Sequence, residues 1–162
     1  ARYPDQPTLC QESAMDEGQR TEFLAQFLAR DGKPLLGFAV LGGVFGEGVD
    51  LTGESLIGVA VVSPGLPQIG PRQEQLRDYF EETRGAGFDY AYRYPGMNKV
   101  LQAAGRVIRT PQDRGVVLLI DDRFLAPDTR RLMPPHWEHL RVVDSADAWK
   151  DELAAFWKKH EP

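Results

Sequence analysis

The chain has 162 residues, enough for one domain with a sizeable core and too few for two of ordinary size. Hydrophobic residues make up 42% and charged residues 27%, which excludes a disordered or fibrous class. The net charge of -5 argues against a surface that binds nucleic acid all round, and the single Cys10 excludes a disulfide framework, a four-cysteine zinc site and a self-contained iron–sulfur cluster. No apolar run approaches the ~18 residues of a membrane span, and no charged-then-apolar leader is visible. The first residue is Ala1 rather than Met. Composition alone therefore suggests an acidic, reduced, cytoplasmic chain with no membrane partner.

Taken in chain order, residues 7–11 read as a short strand. Asp16 and Gln19 form a capping signal, Asp16 as cap and Gln19 reaching back, for a helix with Phe23, Leu24, Phe27 and Leu28 on its apolar face. Gly32, Lys33 and Pro34 end it. Residues 35–41 form a compact apolar run with the length of a buried strand, and 56–62 form another, rich in β-branched residues. Residues 72–82 read as a surface helix with Leu76, Tyr79 and Phe80 inward, and 98–109 as a stronger helix. Residues 116–120 make a third apolar strand, ended by Asp121 and Asp122. The last helix spans 145–159, with Trp149, Leu153, Phe156 and Trp157 on one face and Asp147 near its positive end. Apolar strands alternating with helices indicate an α/β domain with a mostly parallel sheet flanked by helices. Ligands of such sheets bind at the carboxyl ends of the strands. That directs attention to the loops 42–53, 63–70 and 121–123.

Two segments carry chemistry. The first runs Gly42-Gly43-Val44-Phe45-Gly46-Glu47-Gly48-Val49-Asp50 directly after a predicted strand. Its glycines let the backbone turn sharply or approach a ligand. Its amides suit a phosphate, and Glu47 and Asp50 suit sugar hydroxyls. A plain glycine-rich connection is the bland reading. The second is Gln102-Ala103-Ala104-Gly105-Arg106-Val107-Ile108-Arg109. On a helix, Gln102, Arg106 and Arg109 fall within about 60° of one another, with Val100, Leu101, Ala104, Val107 and Ile108 opposite. Two neighbouring guanidiniums repel, and no acidic residue lies between positions 90 and 112. An anionic ligand satisfies both, because guanidinium meets phosphate bidentately. The alternatives are a solvated basic face or ion pairs with distant acids.

Charge is uneven along the chain. Residues 93–131 hold eight basic residues against four acidic ones, a segment of +4 inside a remainder of -9.

These two segments resemble motifs V and VI of superfamily 2 helicases. The acidic form Gly43-Val44-Phe45-Gly46-Glu47-Gly48-Val49-Asp50 and the ending Gly105-Arg106-Val107-Ile108-Arg109 are similar to those of the XPD/DinG-type DNA helicases. The flanks 90–99 and 115–124 look like that family too, so the likeness covers roughly residues 8–140. The resemblance implies a RecA-like three-layer fold over 1–162, the C-terminal motor domain of a DNA repair helicase that moves 5′ to 3′ along single-stranded DNA. It implies Arg106 and Arg109 as arginine fingers on the γ-phosphate of ATP with Mg, bound mainly by an N-terminal motor domain of the same protein. Gln102 and Gly105 would shape the closed interface, with Glu47, Gly48 and Asp50 on the same cleft. The 162 residues contain no Gly-x-x-x-x-Gly-Lys-Ser/Thr loop and no acidic magnesium segment. The chain therefore reads as a fragment that does not hydrolyse ATP by itself. An iron–sulfur cluster is left to the parent protein. The alternative is a stand-alone, non-catalytic regulatory module with the same fold.

Other residues receive plainer expectations. His136, His139 and His160 lack a third clustered ligand, so no metal is expected. Tyr90, Tyr92 and Tyr94 could stack on bases or pack accessory helices. Asp121 and Asp122 should make structural hydrogen bonds. Residues 63–67 should connect elements at the DNA-facing rim, and Cys10 should be buried.

Overall fold

Parallel strands need a crossover, and helices supply it in both sheets of this molecule. The computed structural model describes residues 6–28, 34–45 and 55–159. Strand β1 (Thr8–Cys10) pairs in parallel with β2 (Leu36–Phe38), Thr8 opposite Leu36 and Cys10 opposite Phe38. Helix α1 (Glu17–Leu28) lies between them in sequence. Its start is a reciprocal capping box: the Gln19 amide donates to Asp16 Oδ1 at 2.8 Å and the Asp16 amide to Gln19 Oε1 at 2.9 Å. The expected cap is therefore present.

The second sheet pairs β3 (Gly58–Val62) in parallel with β4 (Val116–Ile120), Gly58 opposite Val116 and Val62 opposite Ile120. Between them run α2 (Pro71–Arg84), a π-helical turn (Asp89–Arg93) and α3 (Tyr94–Ala104). Pro71 opens α2, and Gly85, at φ +64°, closes it with its amide on the Glu81 carbonyl. The π turn has a local cause. Pro95 cannot donate to the Ala91 carbonyl, and its ring would strike it in a regular helix. That carbonyl instead accepts from the Gln73 side-chain amide of α2, and the Tyr94 amide bonds to Asp89. Tyr92, buried beside it, donates its hydroxyl to Glu74.

The core gathers on α3. Met97, Val100 and Ala104 are buried on one stripe, with Val61 of β3, Val107 and Phe124 also out of solvent. The molecule is thus α/β, with parallel strands and flanking helices, as the alternating pattern predicts.

The chain divides into two compact units, Ala1–Leu132 and Met133–Pro162. The first ends in a short helix α4 (Pro127–Arg130), and the second holds a 3-10 turn (Pro135–Trp137) and α5 (Ala146–Lys159). Ser145 Oγ accepts from the Ala148 amide at 3.2 Å and caps α5. Arg141 pairs with Glu152 at 3.0 Å. None of the described helices is long and apolar enough to cross a membrane.

Four expectations need correction. The run 35–41 is not a buried strand: β2 has three residues, and Leu36, Phe38 and Val40, which share a face, are 46%, 54% and 62% exposed. The intervening Gly37 lies beside the Phe27 ring but is exposed as well, so neither face of β2 is buried. A continuous apolar run reveals composition, not which face finds a neighbour. On α2, Leu76 and Tyr79 are exposed and only Phe80 turns inward, stacked on Tyr90 at 4.3 Å. Cys10 is exposed, on a strand whose outer residues have no cover among the described ones. Finally, α3 stops at Ala104, five residues short of the predicted end. Residues 29–33, including Gly32 and Lys33 of the expected stop, lie outside the described residues, as does His160.

Candidate functional site

Helix α3 delivers the arginine segment, but on a turn. Gly105 is a poor helix residue, and from it the chain tightens. The Gly105 amide still reaches the Leu101 carbonyl at 2.9 Å, whereas Arg106 bonds to Ala103 at 3.2 Å and Val107 to Ala104 at 3.1 Å, three residues back. The arc expected for an unbroken helix therefore holds for Gln102 but not for Arg109. Gln102 is exposed on the last turn of α3, Arg106 is half-buried, and Arg109 is exposed beyond the turn.

Two anchors hold this segment. Val107 is only 2% exposed and packs where Gly115 has no side chain; a Cβ at Gly115 would strike Val107 and come within 2.9 Å of the Ile57 carbonyl. On the other side, Asp113 accepts from the amides of Arg109 at 2.9 Å and Thr110 at 2.8 Å. Those two backbone hydrogen bonds hold the Asp113 carboxyl below its ordinary range. Sequence reasoning missed Asp113. The signal was its place three residues after Thr110, the spacing of a side chain that closes its own turn.

The glycine loop begins as expected. Gly42 adopts φ +75°, a conformation that disfavours any side chain, and the Gly43 amide turns back to the Val40 carbonyl at 3.0 Å. Gln11 holds the turn by accepting from the Val40 amide at 2.8 Å. Phe45 stacks on Phe23 at 4.4 Å. Glu47, Gly48 and Asp50 lie outside the described residues.

The strand-end loops meet. Lys99 of α3 passes between Gly42 and Gly65: a Cβ on Gly42 would sit 2.6 Å from Lys99 Cδ, and one on Gly65 3.1 Å from the same atom. One turn earlier, Gly96 admits Leu66 against the helix. At the ends of β3 and β4, Ser63 and Asp121 come together through Arg123. Its guanidinium grips Asp121 with Nε at 2.8 Å and Nη2 at 2.7 Å, and Nη2 also donates to Ser63 Oγ at 2.6 Å. Ser63 has φ +73°, the one non-glycine residue with positive φ among those described. The Arg123 guanidinium and amide hold the Asp121 carboxyl well below the carboxylate range. Asp121 thus makes the expected structural hydrogen bonds.

The tyrosines pack rather than present open faces. Tyr90 stacks on Phe80 and meets Tyr94 edge-on at 5.1 Å, while Arg84 covers its ring at 5.6 Å. Tyr92 is buried.

Comparison with known proteins places this arrangement. A family model described as the helicase C-terminal domain matches residues 2–140. Regulator of telomere elongation helicase 1 of Bos taurus is 33% identical over 147 residues, covering 84% of this chain and 12% of that protein. ATP-dependent DNA helicase chl-1 of Caenorhabditis elegans is 35% identical over 106 residues, 64% of this chain and 12% of that one. ATP-dependent DNA helicase DinG of Photobacterium profundum is 33% identical over 98 residues, 59% and 14% respectively. A solved XPD helicase superposes with a TM-score of 0.62 at 19% identity, over 78% of this chain and 23% of the other, which shows the fold. The chain spans about an eighth of the length of these curated relatives. It belongs to the helicase C-terminal domain family, in its XPD/DinG-type branch.

Proposed function

We propose that this chain is the second motor domain of an ATP-dependent DNA helicase, and that it supplies Arg106 and Arg109 to ATP held with Mg on a first motor domain of the same protein. The observation that carries this reading is the anchored arginine turn. Val107 on one side and Asp113 on the other fix the backbone that bears both guanidiniums. Phosphoryl transfer spreads negative charge over the equatorial oxygens, and prepositioned cations stabilise it without reorganising at the moment of reaction. In this reading Gln102 and Gly105 form the edge of the same surface, Glu47, Gly48 and Asp50 are assigned to the nucleotide cleft by the motif resemblance alone, and single-stranded DNA is the strand partner. Closure of the two domains would complete the catalytic set, and release would open it. That cycle couples hydrolysis to movement.

Arg106→Ala in the full-length protein tests the reading. An arginine offered across a domain cleft contributes roughly 10³–10⁵ in turnover. DNA-stimulated ATPase should fall by about that factor while binding to a single strand without nucleotide stays within about twofold. Unchanged turnover would sink the assignment. As a control, the 162-residue chain alone, which contains no phosphate-cradling Gly-Lys-Ser/Thr loop, should show no ATPase.

A further inference from the structure

Lys99 is placed by three separate elements. Its stem leaves α3 and runs between the glycine that ends the β2 turn and the glycine that follows β3, with Leu41 lining the same slot beside Gly65. The slot exists because neither glycine has a side chain: a Cβ on Gly42 would lie 2.6 Å from Lys99 Cδ and 2.8 Å from Cε. Three methylenes, Cγ, Cδ and Cε, thus lie in the slot between the loops that follow the carboxyl ends of β2 and β3, and strand ends of sheets of this class are where ligands bind. Among the described residues no carboxylate pairs with it. Across the Ser63–Gly65 segment stands a second ordered cation, Arg123, held against Asp121 and Ser63. Both belong to the +4 stretch of an otherwise acidic chain.

We infer that Lys99 is a phosphate-binding residue for the backbone of a single nucleic-acid strand, with its stem packing acting as the positioning device. This rests on the helicase reading above. A phosphate oxygen could come from the strand or from ATP, and the spacing along α3 favours the strand. Lys99 lies five residues before the end of α3 and Arg106 two residues beyond it, a rise of roughly 10 Å along the chain, and the Lys99 stem runs to the strand-end loops. A lysine ammonium serves such a contact as a point charge, without the geometric demands of a guanidinium fork.

The test uses the full-length protein and oligo(dT), without nucleotide, over a range of salt. Lys99→Met keeps an unbranched stem in the slot and removes the charge. Loss of one phosphate contact on a single strand should make the slope of log K against log salt shallower by about 0.7. Lys99→Arg should restore the wild-type slope, and the KM for ATP should not change. An unchanged slope overturns the assignment, and so does a raised KM for ATP with the slope intact, which would give the phosphate to the nucleotide. If Lys99→Met does not fold, acylation of Lys99 in the wild-type protein decides: protection by oligo(dT) supports the contact, and equal labelling with and without it overturns it. Wild-type protein that fails to bind oligo(dT) would refute the helicase reading itself, which separates that failure from failure of Lys99 alone.

Discussion

Helices α3 and α5 both carry apolar stripes at helical spacing, yet they meet different fates. On α3, Met97 is 2% exposed and Val100 fully buried, and the stripe continues through Ala104 to Val107. On α5, Trp149, Leu153, Phe156 and Trp157 remain half-buried and none is lost from solvent. The amphipathic pattern names the face in both cases. Whether that face becomes core depends on what the rest of its unit provides. Unit 1 brings β3 and the 63–67 loop against α3, whereas the described part of unit 2 has one long helix and a 3-10 turn. The arginine segment is attached to the well-covered helix, so its position inherits the rigidity of the core.

Three experiments would break or sharpen that contrast. Met97→Ala should cost about 2–5 kcal/mol, the range for a fully buried large side chain, whereas Leu153→Ala on α5 should cost under about 1.5 kcal/mol. Urea unfolding of both variants checks this, and equal costs would mean that α5 is as well covered as α3.

Gly42→Ala comes next. The left-handed backbone alone costs roughly 1–2 kcal/mol, and the new Cβ must displace the Lys99 stem. In a Lys99→Ala background the steric part should vanish and the backbone part remain. A double-mutant cycle with no coupling would show that Lys99 does not occupy the slot.

Asp121→Asn should have the smallest effect, and one that depends on pH. Its carboxyl titrates lower in the folded chain than the ordinary value of about 3.9 because Arg123 holds the charged form. A depressed folded pKa adds stability above the unfolded value and loses it as the pH falls through the folded one. The variant should therefore be less stable than wild type at pH 7, and the gap should narrow below about pH 4. A gap in thermal melts that stays constant across that range would show that the Asp121–Arg123 pair contributes nothing.

Much of the architecture was legible in the residues. Asp16 and Gln19 announced the start of α1, and the boundaries of β4 match the apolar run 116–120. Both motifs of the site could be read as short fixed patterns, since their chemistry needs particular residue types at particular spacing. Other features could not be read this way. That Leu36, Phe38 and Val40 stay exposed depends on what packs over β2, which an apolar run does not encode. The π turn at Asp89–Arg93 needs both Pro95 and a distant amide, Gln73, to accept the stranded carbonyl.

The sequence by itself determined the class of the domain and the family, and it singled out the residues proposed to bring charge to a phosphate. Local chemistry decides these: glycine permits a turn, arginine matches a phosphate, and a capping residue satisfies the nearest orphan amides. Tertiary structure alone decided that Val107 packs over Gly115 beside Ile57, and that Lys99 joins two strand-end loops. Those outcomes depend on groups far apart in the chain, whose packing is set by which surfaces meet rather than by any one segment's propensity.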